Sequence, residues 1–130
     1  MIYKLIKSVV RIKFYIKKPI EKKILIFDSV GATEIKEFFN KKEDVFILDT
    51  RKESLNLFVI FKLIIELKRI SYKNYIKKYI KLINPKAVVT FIDNNIFFYE
   101  LKNSFKDKIF ISIQNGFRLA VDDILDEFKK

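Results

Sequence analysis

The chain has 130 residues and a formal net charge of +11, and half of its residues are hydrophobic while a third are charged. This is the composition of one folded domain, and with only two glycines and two prolines it excludes collagen-like repeats, flexible linkers and disordered tails. The absence of cysteine and histidine excludes disulfides, thiolate or imidazole metal sites, and nucleophiles paired with histidine. Any proton transfer would use Asp, Glu, Lys or Tyr.

The positive charge is concentrated at the amino terminus. Residues 1–23 contain eight basic residues and a single acidic residue, Glu21. Only four of the 27 basic residues are arginines, whereas nucleic-acid recognition favours arginine for bidentate contacts to phosphate and guanine. The composition therefore argues against nucleic acid as a partner.

Residues 2–16 place apolar side chains near helical spacing, with basic side chains elsewhere around the helix. The sequence therefore predicts a basic amphipathic helix over residues 1–22, followed by one α/β domain over residues 23–130. Two interpretations of the helix stay open. It attaches to an anionic membrane surface through residues 1–23, or it packs on its own domain with its lysines in water.

No membrane span and no signal peptide are predicted. The most apolar stretch, Leu55–Ile70, is interrupted by charged residues and is shorter than the roughly 20 apolar residues that spanning requires. Basic residues also interrupt every apolar stretch near the amino terminus. We therefore expect a cytoplasmic protein, peripheral on the inner face of the cell membrane if the amino-terminal helix binds lipid.

Short apolar runs alternate with helical patterns along the rest of the chain. These runs do not alternate with polar residues, which is typical of strands buried on both faces of a parallel sheet. The predicted strands are Ile24–Phe27, Val45–Leu48, residues 87–91 and residues 109–113. Strands that alternate with helices predict a Rossmann-like, doubly wound parallel sheet of about four strands with right-handed crossovers.

Five helices are predicted around these strands. The first is short, with Ile35, Phe38 and Phe39 directed inward, and the second spans residues 54–69 and is apolar nearly all round, as in a helix covered by a partner. Ser71 caps the third, which residues 84 and 85 end. A fourth helix carries Phe97, Phe98, Leu101 and Phe105, and an acidic helix closes the chain.

Each predicted strand ends in a polar cluster, and ligands of doubly wound sheets bind beyond the carboxyl ends of the strands. None of the clusters has the spacing G-x-G-x-x-G of dinucleotide-binding turns or the P-loop pattern G-x-x-x-x-G-K-[ST]. This argues against a nicotinamide-dependent oxidoreductase and a P-loop phosphotransferase. The sequence predicts neither a bound cofactor nor a metal site.

The most specific cluster follows the fourth strand and contains Gln114, Asn115, Gly116 and Arg118. Two amides and a guanidinium offer donors and acceptors to a polyhydroxylated or phosphorylated ligand, and glycine permits close backbone approach. The alternative is a turn in which Arg118 pairs with Asp122.

The cluster after the third strand contains Asp93, Asn94 and Asn95. These side chains can bind hydroxyl groups, and Asp93 can serve as a general base in a chain that has no histidine. The alternative is that an asparagine here only caps the following helix.

Weaker candidates follow the first two strands. Ser29 and Gly31 precede a helix whose amino terminus attracts anions even when it is merely capped. Arg51 lies between Asp49 and Glu53, where it either contacts a ligand or belongs to a local ion-pair network.

Four stretches resemble the amino-terminal part of bacterial surface carbohydrate biosynthesis proteins. They are residues 24–31 (ILIFDSVG), 49–57 (DTRKESLNL), 84–99 (NPKAVVTFIDNNIFFY) and 110–118 (FISIQNGFR). The best marker is the pairing of FIDNN with SIQNGFR. That family is distantly similar to glycerophosphate transferases of teichoic acid synthesis. The resemblance implies a two-domain, glycosyltransferase-B-like architecture whose first domain holds the acceptor and whose second mainly holds the nucleotide-activated donor.

The resemblance covers about residues 20–128 and implies that this chain is the acceptor-side half alone. Residues 93–95, 114–116 and Arg118 would then line the cleft that receives a saccharide or polyol-phosphate acceptor. Turnover would need a donor-binding half from another polypeptide, or the chain is an incomplete transferase. A hypothesis from another class is a non-catalytic α/β binding or scaffold module attached to an anionic membrane surface.

A sheet that ends at its fourth strand has a physical consequence. We expect residues 109–113 at an unpaired edge and exposed apolar surface between Leu55 and Ile70, which would favour a homodimer.

Overall fold

A computed structural model of the chain describes residues 12–51 and 54–114. The strands are β1 (Lys13–Tyr15), β2 (Ile24–Phe27), β3 (Val45–Leu48), β4 (Ser54–Asn56), β5 (Ala87–Thr90) and β6 (Ile109–Ser112). The helices are α1 (Ala32–Glu37), α2 (Leu57–Ile65), α3 (Tyr72–Ile83) and α4 (Ile96–Ser104), and a short 3-10 helix covers Lys42–Asp44. The predicted α/β class and the four predicted strands are confirmed. The predicted final helix lies outside the described residues.

Four strands form one parallel sheet in the order β3-β2-β5-β6. Ile26 of β2 pairs with Ile47 of β3 on one side and with Val89 of β5 on the other. In chain order, β3 is therefore added on one side of β2, and β5 and β6 are then added on its other side. This reversal between β2 and β5 is the topological switch point at which ligands of such sheets bind.

The two faces of the sheet carry separate apolar clusters. Leu25, Phe27 and Val88 point to the face covered by α2, α3 and α4, while Ile26 and Val89 point to the face covered by α1. All five side chains are buried. Strands buried on both faces have no polar alternation, which is why these runs could be identified in the sequence.

The predicted helix over residues 54–69 is wrong at both ends. Ser54–Asn56 form β4, which pairs in parallel with β1 in a separate two-stranded sheet. The helix starts only after Asn56, whose side-chain oxygen accepts a hydrogen bond of 3.1 Å from the Phe58 backbone N–H. Asn56 is thus an N-cap, which has non-helical backbone angles itself.

Helix α2 ends in a Schellman motif. The Lys68 N–H donates to the Leu63 carbonyl at 3.1 Å and the Leu67 N–H donates to the Ile64 carbonyl at 3.0 Å. The residue at the left-handed position of this motif is usually glycine, yet here it is Leu67, with φ of 51°. A left-handed conformation costs a residue with a Cβ about 1–2 kcal/mol.

The predicted amino-terminal helix is wrong where the structure describes it. Lys13–Tyr15 form β1, and the chain continues extended to Lys17, whose backbone carbonyl accepts a 2.6 Å hydrogen bond from the Asn56 amide. The Tyr15 hydroxyl also lies 3.0 Å from that of Tyr79. These long-range contacts override the local helical pattern of the sequence. Residues 1–11 lie outside the described residues.

Large apolar side chains are exposed directly after α1 and on α2. Phe38 was expected to point inward but is 82% exposed, because α1 stops at Glu37 and Ile35 alone of the three predicted residues is fully buried. The expected apolar surface between Leu55 and Ile70 is confirmed by the exposed side chains Leu57, Phe61, Ile64, Ile65, Leu67 and Ile70.

No helix within residues 12–51 and 54–114 has the length and apolar character needed to cross a membrane.

Candidate functional site

The carboxyl ends of the four parallel strands bring four polar loops to one edge of the sheet. We call this edge the rim and define it as residues 28–31, 49–51, 91–95 and 113–114. The loops at residues 28–31 and 91–95 follow the two strands that flank the switch point, so the rim is the candidate site.

Asp28 is the most constrained polar residue of the rim. It is only 5% exposed and has φ of 83°. The Thr50 hydroxyl donates to its carboxylate at 2.6 Å and the Val30 N–H donates at 2.9 Å, while Nε of Arg51 lies at 3.4 Å. Burial alone would raise the pKa of Asp28, but the two hydrogen bonds and the Arg51 charge outweigh it, so the pKa is lowered. Asp28 is therefore a buried carboxylate that joins the ends of β2 and β3.

The loop after β3 is fixed by its own side chains. Asp49 accepts hydrogen bonds from the Arg51 N–H at 2.9 Å and from the Ser54 hydroxyl at 3.2 Å. The Tyr72 hydroxyl donates to the Thr50 carbonyl, and burial, followed by the charge of Asp49, raises the pKa of Tyr72. The predicted ion-pair network of Asp49, Arg51 and Glu53 is not found among the described residues, because Arg51 pairs with Asp28 while Asp49 accepts only a backbone N–H and a hydroxyl. Glu53 lies outside the described residues.

Gly31 serves the packing of the rim. It has φ of 66°, and a Cβ placed on it would lie 2.5 Å from Cγ of Phe91. The ring of Phe91 therefore lies directly against this glycine, in the space between the loops that flank the switch point. Ser29 is exposed, and its carbonyl accepts the Ala32 N–H at 3.3 Å. Of the two predicted residues, Ser29 alone has a side chain available to a ligand.

The variant Gly31→Ala is expected to lower the free energy of unfolding by about 2 kcal/mol, since the left-handed backbone is strained and the added methyl group meets Phe91. Urea unfolding followed by circular dichroism measures this loss. Adding Gly31→Ala to a Phe91→Ala protein separates the two causes, because in that background the collision is absent and only the backbone strain remains. A Gly31→Ala protein as stable as the wild type would show that the close approach to Phe91 does not exist.

The residues of the loop after β5 differ in role, since one caps α4 and others are accessible to solvent. The side-chain oxygen of Asn95 accepts the Phe98 N–H at 3.3 Å, so this asparagine caps α4, as the alternative interpretation predicted. The side chain of Asn94 is exposed, and Asp93 is partly exposed. The Tyr99 hydroxyl donates to the Asp93 carbonyl at 2.6 Å and lies 3.3 Å from the hydroxyl of Ser112. Tyr99 thereby joins the β5 loop to the end of β6.

The register of the last two strands places the third predicted cluster next to Gln114, the first residue of the fourth cluster. Thr90 pairs with Ser112, so the loop that follows β5 and Gln114 leave the sheet at the same edge. Gln114 is exposed. The predicted residues Asn115, Gly116 and Arg118 lie outside the described residues.

Sequence reasoning did not single out Asp28, Thr50, Thr90 and Tyr99 as residues that build the rim. Thr90 is fully buried, and its hydroxyl donates to the Phe27 carbonyl at 3.1 Å and accepts the Ile92 N–H at the same distance, which joins β5 to β2. Asp28, Thr50 and Thr90 share a signal of position, since a polar residue at the end of a buried strand must find partners within the fold, whereas Tyr99 lies within α4 and has no such signal. Their partners lie on other elements, so the sequence alone does not reveal them.

The rim offers hydrogen-bonding groups and one positive charge. Among its described residues Arg51 is the only cation, and its half-exposed guanidinium is held against Asp28 through Nε. The exposed side chains of Ser29, Asn94 and Gln114 add neutral donors and acceptors. Over residues 12–51 and 54–114, no group of three or more Asp or Glu side chains is arranged to hold a metal ion. The carboxylates of Asp28, Asp49 and Asp93 outnumber this cation, so the rim suits a ligand with several hydroxyl groups, and an anionic group of that ligand would have to lie at Arg51.

Comparison with protein families, with curated proteins and with solved structures found no match to this chain. The resemblance to surface carbohydrate biosynthesis proteins stays a prediction from the sequence.

Proposed function

We propose that this chain is the acceptor-binding half of a glycosyl- or glycerophosphate-type transferase of bacterial surface polysaccharide biosynthesis. One observation carries the proposal: the polar loops after β2, β3, β5 and β6 lie on one edge of a parallel sheet whose strand order reverses between β2 and β5. The acceptor would be a saccharide or a polyol phosphate. Donor binding would need a second, donor-binding half that residues 12–51 and 54–114 do not form.

The exposed groups of the rim define the roles in this proposal. The outer nitrogens of the Arg51 guanidinium bind the phosphate, since Nε is already directed to Asp28. The amides of Asn94 and Gln114 bind hydroxyl groups on the neighbouring part of the rim. Tyr99 is a positioning residue, because it holds the Asp93 loop against β6.

In the reaction step, the acceptor hydroxyl oxygen attacks the donor at the sugar carbon or at the phosphorus of the transferred group. A new bond to that atom forms while its bond to the leaving nucleotide breaks, and the leaving nucleotide takes the electron pair. The Asp93 carboxylate accepts the hydroxyl proton. No step needs a metal ligand or an imidazole from this chain.

Titration of the isotope-labelled chain with sn-glycerol 3-phosphate, followed by amide chemical shifts, tests the proposal. We expect saturable shifts at Ser29, Arg51, Asn94 and Gln114, and a loss of affinity of about tenfold in Arg51→Gln, as for a lost charged hydrogen bond. A matched control is Lys41→Gln, which removes one exposed positive charge from the turn that precedes β3.

Two results would contradict the proposal. The first is the absence of saturable shifts with glycerol 3-phosphate and also with a panel of neutral saccharides. The second is shifts that cluster at Lys22, Lys23 and Lys86, which line a cleft near the amino ends of the strands. An equal loss of affinity in Arg51→Gln and Lys41→Gln would show that net charge, and not the rim, holds the phosphate.

A further inference from the structure

Helix α2 exposes a row of large apolar side chains. Eight of its nine residues are apolar, and Val59 and Leu63 are sufficient to bury one side of the helix against the core. Phe61, Ile64 and Ile65 are more than half exposed on the other side, and Leu67 follows in the turn after the helix. We call the side chains of Phe61, Ile64, Ile65 and Leu67 the α2 face. An apolar patch of this kind on a folded domain marks an interaction surface.

Leu67 shows that the fold does not require this surface. Its side chain is 94% exposed, and its backbone has φ of 51°, in the left-handed region where glycine or asparagine is favoured. A leucine here gains nothing from burial and strains the backbone. The packing of the described residues therefore does not explain the leucine at this position.

The surroundings of the α2 face are strongly basic. Residues 57–81 contain seven basic residues and one acidic residue, Glu66. Glu66 is already paired with Lys68 and with Lys78, and the hydrogen bonds from Lys68 and then Lys78 lower its pKa to about 2. The net charge that remains on this side of the molecule is positive.

A cleft of about 230 Å³ runs from the carboxyl-terminal end of α2 along α3 and concentrates this charge. It is lined by Lys68, Asn74, Lys77, Lys78 and Lys81, together with Leu63 of α2 and Ser104 of α4. Lys68 directly follows Leu67, so the basic cleft and the apolar row are continuous along the chain. Apolar side chains bordered by lysines match the boundary between acyl chains and anionic headgroups of a bilayer.

We propose that the α2 face docks the protein on an anionic phospholipid surface, with Phe61 and Leu67 among the acyl chains and the lysine cleft against headgroup phosphates. A second copy fits this surface poorly, because two copies joined face to face would bring the basic residues of both chains together. The inference depends neither on residues 1–11 nor on the proposed transferase, and either can fail without the other.

Vesicle flotation of the full chain tests the apolar part of this surface. The vesicles contain phosphatidylcholine alone or with 30% phosphatidylglycerol, a composition of about one anionic lipid in three. We expect binding to the anionic vesicles only, and at least roughly tenfold weaker binding in the double variant Phe61→Ser with Leu67→Asn, since two buried side chains are lost. Asparagine is favoured in the left-handed backbone conformation, so we expect this variant to stay folded. Thermal melting of the variant and of the wild type checks this.

The matched control for the apolar part is Phe38→Ser, which removes an exposed phenylalanine on the α1 side of the sheet and should leave flotation unchanged. The basic part is tested by Lys77→Gln with Lys81→Gln against Lys41→Gln with Lys42→Gln, which remove equal charge at different places. We expect only the first pair to weaken binding severalfold and to reduce its salt dependence.

Several results would overturn the proposal. One is unchanged flotation of a folded Phe61→Ser, Leu67→Asn protein, which would show that lipid binds elsewhere. An equal loss of flotation in the two double lysine variants would show the same. Another is equal binding to neutral and anionic vesicles. A wild-type dimer in sedimentation without lipid, converted to a monomer by the same double variant, would identify a second copy as the occupant.

Discussion

Replacement of Asp28 by alanine is expected to lower the free energy of unfolding by about 3 kcal/mol. The Thr50 hydroxyl and the Val30 N–H, which are partly buried, would lose their acceptor, and a donor shielded from water without a partner costs about 1–3 kcal/mol. Asp28 itself has φ of 83°, so alanine keeps the left-handed backbone strain that the wild type already carries. Asp28→Gly relieves this strain and removes the same acceptors, so the difference between the two variants isolates the strain.

The pH dependence of stability provides a second measure of the same carboxylate. Because its folded pKa is lowered, Asp28 stabilises the fold above its unfolded pKa of about 4, and this contribution is lost as the pH falls through the folded pKa. Urea midpoints of the wild type and Asp28→Asn should therefore converge below about pH 4. The control Asp44→Asn removes a partly exposed partner of Lys23 and should lower the free energy of unfolding much less than Asp28→Asn does. A pH-independent gap between wild type and Asp28→Asn would contradict the assignment.

Replacement of Asn56 by alanine is expected to lower the free energy of unfolding by about 3–4 kcal/mol. This is the sum of the loss of a helix cap and of the loss of partners for backbone groups that are shielded from water. The side chain is fully buried, and it accepts from Phe58 and Lys17 and donates to the Lys17 carbonyl and the Tyr79 hydroxyl. Denaturant unfolding measures the loss. Hydrogen exchange should also show faster exchange at Lys17, which loses both of its contacts with the amide.

Asn95 is a matched control for the cap. Its side-chain oxygen accepts only the Phe98 N–H among the hydrogen bonds that it makes within residues 12–51 and 54–114, and Asn95 is partly exposed. Asn95→Ala should therefore lower the free energy of unfolding by about 1 kcal/mol, as the loss of an ordinary helix cap does. If Asn56→Ala cost no more than Asn95→Ala, the attachment of the amino-terminal strand to Asn56 would not contribute to stability.

Strands of the central sheet are predictable from the sequence because their pattern has a single physical cause. Ile24–Phe27 and Ala87–Thr90 are buried by helices on both faces, so each is a continuous apolar run bounded by polar residues. The caps at Ser71 and Asn95 are likewise local, since each side chain bonds a backbone N–H three residues ahead. Patterns of this kind need no knowledge of the rest of the fold.

Elements that depend on distant partners could not be predicted in the same way. Lys13–Tyr15 lies within a helical pattern, yet its pairing with Ser54–Asn56 makes it a strand. Asp28 carries no signal of its buried role, because its partners Thr50 and Arg51 lie more than 20 residues ahead. Arg51 was identified as a candidate without its true partner for the same reason. Local sequence sets propensity, but the contacts that decide these residues are long-range.

The pairing of β1 with β4 has a consequence for synthesis of the protein. Lys13 is partnered with Ser54, so Phe14 and Tyr15 leave the ribosome well before the segment that will receive them has been translated. Until then these aromatic side chains have no docking place and can be captured by a chaperone or by another nascent chain. Translation speed over the codons from Lys13 to Asn56 should therefore affect the yield of folded protein more than translation speed after them.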